Sequence, residues 1–240
     1  MSRVDAMVTA GVRATRCALL AAETVGTLRT ERARDRQGEL LQRAAQTALG
    51  LHGVQLQVTG RLSSSPAVIV ANHESWLDAL VMLALLPAVP LAKREVLSWP
   101  VIGPMASSFG AVFVRRGDAH SGAVALRHLR QALSQGRTVV GFPEGTTSAN
   151  GVLPFRRGLF GLALHARVPV VPVALAWRDP RAAWVGNDAF VPHWLSLCHG
   201  DPLHVDVRVG RPLLPGAEPD HLAEAAREQI VMMLEGGRSA

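Results

Sequence analysis

Short apolar runs separated by helical segments constrain the fold of this chain more than any other feature. Residues 66–71, 110–114 and 138–142 are short apolar runs, of the kind found in buried strands. Between the last two runs, residues 121–136 carry leucines on one face and arginines on another, which is typical of an amphipathic helix. Strands that alternate with helices predict an α/β fold. We therefore expect a single mixed, largely parallel sheet flanked by helices.

One apolar run contains prolines, which restrict where its strand can lie in that sheet. Residues 168–176 contain Pro169 and Pro172. Proline has no N–H to donate to a neighbouring strand, and it is found mostly on edge strands or at irregular positions. The sequence therefore predicts that this strand lies at an edge of the sheet or is irregular.

The first 50 residues have a helical pattern. Small apolar residues recur at three- and four-residue steps over residues 6–28, and residues 30–50 begin with a segment rich in arginine and glutamate. We predict an N-terminal helical hairpin over residues 1–50, followed by the α/β domain over residues 51–240. The pair has two compatible interpretations. It packs on the main body, or it is a basic amphipathic element that docks on anionic lipid.

No apolar run predicts a membrane-spanning helix. Such a helix needs about 20 apolar residues, and the longest candidate, residues 79–92, contains Pro87 and Pro90. Charged residues interrupt the first 30 positions, so no secretory signal is visible. If the protein meets a membrane, we expect it to lie on the surface, as a peripheral or monotopic protein at the cytoplasmic face of the cell membrane.

The charge balance and the aromatic content limit the classes of partner that the protein can bind. Lysine and arginine total 25 against 19 acidic residues, and the formal net charge of +6 suits nucleic acid, anionic lipid or a phosphorylated substrate. Aromatic residues make up only 5% and tyrosine is absent, so the chain has little material for a base-stacking surface. We therefore expect no nucleic-acid partner.

The segment from Asn72 to Asp78 directly follows an apolar run and precedes an apolar helix. Sites in α/β proteins collect beyond the carboxyl ends of strands. If His73 lies in the connecting loop and Asp78 in the first helical turn, the carboxylate can hold one imidazole nitrogen and leave the other to accept a proton. The alternative is structural, because Ser75 and Asp78 have the spacing of a helix capping box.

Two further apolar runs end in polar residues. Arg115 and Arg116 follow residues 110–114, and arginine suits bidentate contact with phosphate. Residues 142–148 supply a carboxylate, a glycine and three hydroxyl groups in one turn. Each segment alone is explained equally well as a solvated strand end or an ordinary turn. Together, three polar strand ends can meet at one rim of a sheet.

These segments resemble the lysophospholipid acyltransferase family, typified by the bacterial enzyme that makes phosphatidic acid from lysophosphatidic acid. The family has an Asn-His-x4-Asp block, a Gly-x-x-Phe-x-x-Arg block, a Phe-Pro-Glu-Gly-Thr block and an apolar block with prolines. Here the four blocks occur in order at Asn72–Asp78, Gly110–Arg116, Phe142–Thr146 and Val168–Val173. The resemblance spans about residues 50 to 215. It implies a glycerolipid acyltransferase-like fold and an O-acyltransferase.

The resemblance also implies roles for individual residues. His73 is the expected general base and Asp78 its partner. The expected substrate-binding residues, which hold the glycerol-phosphate end of the acceptor, are Lys93, Arg116, Glu144, Gly145 and Thr146. The expected reaction moves a fatty acyl group from acyl-coenzyme A or acyl-carrier protein to the free hydroxyl of a lysolipid. The acceptor most in keeping with the resemblance is 1-acylglycerol-3-phosphate, and the acyl donor is a substrate, so no cofactor is expected.

Three alternatives remain open from the sequence. The acceptor is a phosphate-free lysolipid such as lyso-ornithine lipid, as in a relative of the same family. The protein is a metal-dependent hydrolase with His73, Asp78 and Glu144 as ligands, although one histidine makes a poor catalytic zinc site, and we expect no metal. The protein is a peripheral lipid-binding protein without catalysis.

Overall fold

A computed structural model describes residues 3–30, 34–63, 65–99, 102–108, 110–115, 117–186, 188–198, 200–216 and 218–237. The helices are α1 Arg3–Thr30, α2 Arg34–Leu51, α3 Leu77–Leu85, α4 Ile102–Ser108, α5 Ala119–Ser134, α6 Gly158–Ala166, α7 Phe190–Leu197 and α8 Pro219–Glu235. The strands are β1 Val54–Thr59, β2 Val68–Ala71, β3 Ala88–Lys93, β4 Val112–Val114, β5 Thr138–Gly141, β6 Val170–Trp177 and β7 Leu203–Val209. Short 3₁₀ turns follow β3 and β6, at Arg94–Ser98 and Pro180–Ala182.

The strands form one seven-stranded sheet in the order β1-β7-β6-β2-β5-β3-β4. Every neighbouring pair is parallel except β6 and β7, which run antiparallel. The central strand β2 is buried along its whole length, as expected for a strand with neighbours on both edges and helices on both faces. The predicted mixed, largely parallel sheet flanked by helices is confirmed.

The edge position predicted for the proline-containing strand is wrong, whereas the predicted irregularity is present. The pairing shifts by one residue at Pro172, between the pairs Val173–Val209 and Val170–Leu213. Strand β6 lies inside the sheet, between β7 and β2. Pro172 lies just beyond the last β6–β7 residue pair, Val173–Val209, so its missing N–H removes no bond from that ladder. Its carbonyl oxygen still accepts a hydrogen bond from the Gly210 N–H at 2.8 Å. The interior strand therefore accommodates the proline at a position where no partner needs its N–H.

Alternating side chains of the central strands build a core on each face of the sheet. On one face, Ile69 and Ala71 pack in a cluster with residues of α1, α2 and α3. On the other, Val68 and Val70 pack in a cluster with residues of α5, α6 and α8. This two-sided burial follows from the period of two along a strand. It fixes the direction of β2 and therefore the position of the loop that follows it.

The N-terminal helical pair belongs to the same core. Leu41, Ala45 and Leu49 of α2 are buried in the cluster that contains the central strands, and α2 packs against α3. The first helix packs against α2 and α4. The interpretation that the pair packs on the main body is therefore correct, while the domain boundary at residue 50 stays a prediction. Within the described residues, no helix has the length and apolar character needed to cross a membrane.

Candidate active site

The loop between β2 and α3 brings a histidine and an aspartate together. Strand β2 ends at Ala71, His73 lies in the loop, and Asp78 lies in the first turn of α3. The imidazole Nδ1 of His73 is 2.8 Å from Oδ2 of Asp78. If Nδ1 carries the proton and donates to the carboxylate, Nε2 is the nitrogen left to accept one. This is the arrangement expected of a general base with an orienting carboxylate.

The Asp78 carboxylate also organises the loop around it. The side chain is fully buried, and its Oδ2 accepts the backbone N–H groups of Glu74 at 2.7 Å and Ser75 at 2.8 Å. The bond from Ser75 is half of a capping box. The reciprocal half is absent, since Ser75 Oγ accepts from the Leu77 N–H at 3.2 Å instead. Asp78 therefore stabilises the start of α3 and holds His73 at the same time.

Packing on the ring fixes the orientation of His73 further. Its imidazole stacks on Phe142, with ring centroids 4.1 Å apart and an interplanar angle of 14°. The side chain keeps 17% of its surface exposed, and it lines a large cavity. Phe142 follows β5, so two neighbouring strands of the sheet position the ring. The prediction that polar strand ends meet at one rim holds for these two segments.

Glu144 lies behind His73 rather than in the open cavity. It is only 5% exposed, its Oε1 accepts the His73 backbone N–H and its Oε2 accepts the Leu153 N–H, both at 2.8 Å. Burial raises the pKa of this carboxyl to about 7; the two N–H donors oppose that rise, and the charge of Asp78 adds to it. Through these two hydrogen bonds, Glu144 links the loop after β2 to the segment that follows β5. An acceptor-binding role for it stays a prediction.

The turn after Glu144 depends on glycine. Gly145 has φ +70°, and a Cβ built there would lie 2.9 Å from Nε of Arg156. Gly145 and Thr147 line the cavity. Thr146 is half-buried and is not among the residues that form the cavity wall. In this turn, the threonine that lines the cavity is therefore Thr147, one residue beyond the predicted position.

The cavity beside His73 has a volume of about 600 Å³ and a mostly apolar wall. That volume is within the range of small-molecule and cofactor sites. The apolar wall comes from α3, β3, α4, α5 and α6, and includes Leu80, Leu83, Leu91, Ile102, Leu126 and Leu159. Lys93, Arg115 and Arg156 also line it. The cavity thus combines room for an aliphatic chain with cationic groups for an anion.

The predicted substrate-binding residues are distributed unevenly around this cavity. Lys93 and Gly145 line it, whereas Arg116 lies outside the described residues. Arg115 and Arg156, which also line the cavity, were not among the predicted substrate-binding residues. The adjacent Arg115–Arg116 pair and the basic segment at residues 155–158 were the available signals.

The side-chain geometry does not favour the metal-dependent alternative. Across the described ranges, no group of three or more histidine, cysteine, aspartate and glutamate side chains is arranged to hold a metal ion. The oxygens of Asp78 and Glu144 already accept N–H groups. A metal ion would have to displace these hydrogen bonds.

Comparisons with known proteins agree with this geometry. A family model described as acyltransferase matches residues 52–176. The lyso-ornithine lipid O-acyltransferase of Pseudomonas aeruginosa is 34% identical over 189 residues, covering 76% of this chain and 73% of that protein. The human 1-acyl-sn-glycerol-3-phosphate acyltransferase alpha is 42% identical over 135 residues, covering 52% of this chain and 47% of that protein.

A solved structure shares the whole fold. The crystal structure of the 1-acyl-sn-glycerophosphate acyltransferase from Thermotoga maritima aligns with a TM-score of 0.76 at 19% identity, covering 100% of this chain and 99% of that one. The chain belongs to the acyltransferase family. It is an O-acyltransferase.

Proposed function

We propose that the protein transfers a fatty acyl group from a thioester donor to the free hydroxyl of a lysolipid, with His73 as general base. The observation that carries this proposal is the 2.8 Å distance between Oδ2 of Asp78 and Nδ1 of His73, a histidine that lines a large apolar cavity. The names of the relatives support a lysolipid acceptor. The donor is acyl-coenzyme A or acyl-carrier protein, which serves as a substrate.

The reaction uses the free imidazole nitrogen. The acceptor hydroxyl gives its proton to Nε2 of His73 while its oxygen attacks the thioester carbonyl carbon. The tetrahedral intermediate then collapses, the C–S bond breaks, and the sulfur leaves with the proton from the imidazolium. The products are the acylated lipid and a free thiol. Asp78 stabilises the imidazolium, as the acid does in a Ser-His-Asp triad.

Direct transfer is favoured over a covalent acyl-enzyme. The hydroxyl nearest to the histidine in sequence belongs to Ser75, which is fully buried. Its Oγ accepts the Leu77 N–H. A nucleophilic serine needs an exposed oxygen within reach of the base. Ser75 is therefore unsuited to act as a nucleophile, and in the proposed reaction the acceptor hydroxyl attacks the thioester directly.

Two candidate acceptors carry an anionic group that the cationic side chains of the cavity can bind. A phosphate, as in 1-acylglycerol-3-phosphate, is the anion that arginine and lysine commonly bind. A lyso-ornithine lipid offers a carboxylate to the same cations. The second acceptor is favoured by a specific observation, because relatives with that name match over about three quarters of the chain. Both acceptors carry a free hydroxyl, so the chemistry at His73 is the same.

An acceptor panel with cation variants distinguishes the two. If the acceptor carries phosphate, Arg116→Ala and Lys93→Ala should each raise the KM for 1-acylglycerol-3-phosphate by about ten- to a hundredfold, since a charge-assisted hydrogen bond is lost. The KM for the donor should change little. The measurement is the initial rate with a radiolabelled donor and lysolipids with and without phosphate. Arg130→Ala, on the exposed face of α5, is the matched control.

A different outcome would reassign the acceptor. If the wild-type protein prefers lyso-ornithine lipid and the cation variants impair all acceptors alike, the phosphate assignment is wrong. If no lysolipid accepts the label, lysolipid acylation itself is wrong.

We also propose that α1 docks on an anionic membrane surface at the cytoplasmic face. Cys17 and Ala21 on one side of α1 are buried, while Val8, Val12 and Leu19 on the opposite side are 60%, 50% and 64% exposed. An exposed apolar stripe on a helix is suited to the boundary between headgroups and acyl chains. A lipid acceptor and a water-soluble donor would both be accessible there.

Polar substitutions on this stripe should weaken membrane binding. The double variant Val12→Ser, Leu19→Ser should bind vesicles containing anionic lipid at least about tenfold less tightly, because apolar side chains no longer enter the bilayer. Its rate with a short-chain soluble acceptor should be unchanged. Sedimentation with vesicles at low and high salt measures the binding. Leu214→Ser, at a site that is 77% exposed elsewhere on the surface, should bind like wild type, and equal binding by all three proteins would exclude α1 as the contact.

A further inference from the structure

One hydrogen bond to the His73–Asp78 pair comes from a distant part of the chain. Oδ2 of Asp78 accepts from His73, Glu74 and Ser75, which are all in its own loop. Oδ1 accepts from the indole Nε1–H of Trp177 at 2.7 Å. Trp177 is the last residue of β6, the strand that pairs with β2.

We infer that Trp177 is a positioning residue for the reaction, which sets the orientation of the His73–Asp78 pair through Oδ1. The inference rests on the proposed role of His73 as general base. Both carboxylate oxygens lie off the Cβ–Cγ axis, so the three donors on Oδ2 already restrict rotation about that bond. A donor on Oδ1 opposes the same rotation from the other side, so that the carboxylate plane and the imidazole bonded to it keep one direction.

A second contact explains how the indole reaches its partner. Asn72, next to His73, donates from Nδ2 to the Leu175 carbonyl at 2.9 Å and accepts the Leu175 N–H at 2.8 Å. Asn72 is buried, so these bonds are shielded from water. They hold the ends of β2 and β6 in register. Since residues two apart in a strand point to the same face, Trp177 lies beside the loop on the same side as Leu175.

Trp177→Phe tests the inference, because it removes the N–H and keeps an aromatic ring. We expect kcat to fall about tenfold, the loss of one charge-assisted bond, with little change in the KM for the acceptor. The control is Trp194→Phe on α7, where the indole ring stacks on Phe190. Its kcat should match that of the wild type.

A folded Trp177→Phe variant with wild-type kcat would overturn the inference, as would an equal loss of kcat in both variants. An NMR measurement on the native sequence covers the case of a misfolded variant. Among the five indole N–H signals of ¹⁵N-labelled protein, one should lie downfield, as expected of an N–H that donates to a carboxylate, and change position in His73→Ala. No such signal would also overturn the inference. Full activity in His73→Ala would instead overturn the proposed general base.

Discussion

Replacing His73 by alanine is expected to lower the turnover number by at least about a hundredfold, the usual contribution of a general base. The acceptor hydroxyl then has no group to take its proton as it attacks. The fold should persist, since the imidazole lies at the wall of a cavity and is partly exposed. Turnover at saturating donor and acceptor, together with thermal unfolding, measures both properties.

His128→Ala serves as the matched control, since this histidine is exposed on α5. It should leave turnover within about twofold of wild type, as most surface substitutions have small effects. Near-normal turnover in a folded His73→Ala protein would exclude the proposed base.

Asp78→Asn should reduce both turnover and stability. An amide that turns its oxygen to His73, Glu74 and Ser75 must turn its NH₂ group towards the indole N–H of Trp177, so two donors face each other. Turnover should fall at least about a hundredfold, because the neutral amide no longer stabilises the imidazolium. The free energy of unfolding should fall by about 1–3 kcal/mol, the cost of an unsatisfied buried group.

Parallel measurements of turnover and denaturant unfolding separate the two roles of Asp78. Ser75→Ala is the comparison, because it removes the hydroxyl that accepts the Leu77 N–H and leaves the carboxylate. It should lose about 1 kcal/mol, typical of a lost cap, and keep most of its turnover. If Asp78→Asn loses stability and keeps its turnover, the carboxylate only stabilises the start of α3 and has no role in the reaction.

The buried strands were predictable because their signal is local. The fully buried β2 and β5 coincide with short apolar runs, and burial on both faces requires such runs. The interior position of β6 was not predictable. A proline is tolerated inside a sheet only where no neighbouring strand accepts a hydrogen bond from that residue, and this depends on how β6 pairs with β7 and β2. The helices α4 and α7 gave no clear periodic pattern, because they are short and each contains a proline.

The same distinction applies to the site. His73 and Asp78 are five residues apart, so the loop geometry that joins them could be anticipated from sequence. Glu144 and Trp177 reach the pair across separations of 71 and 99 residues. Such contacts depend on the order of strands in the sheet, which no local pattern encodes. The sequence therefore indicated His73 and Asp78, the proposed base and its partner. It did not indicate which distant residues hold them in place.

Intact-protein mass spectrometry during a single turnover tests the central claim most directly, which is direct attack by a lysolipid hydroxyl activated by His73. The purified protein is mixed with the donor thioester alone, and the lysolipid is added afterwards. The account predicts an unmodified protein mass throughout, with ester product and free thiol appearing only after the lysolipid is added. An acyl adduct that forms with the donor alone and disappears when the lysolipid is added would contradict it.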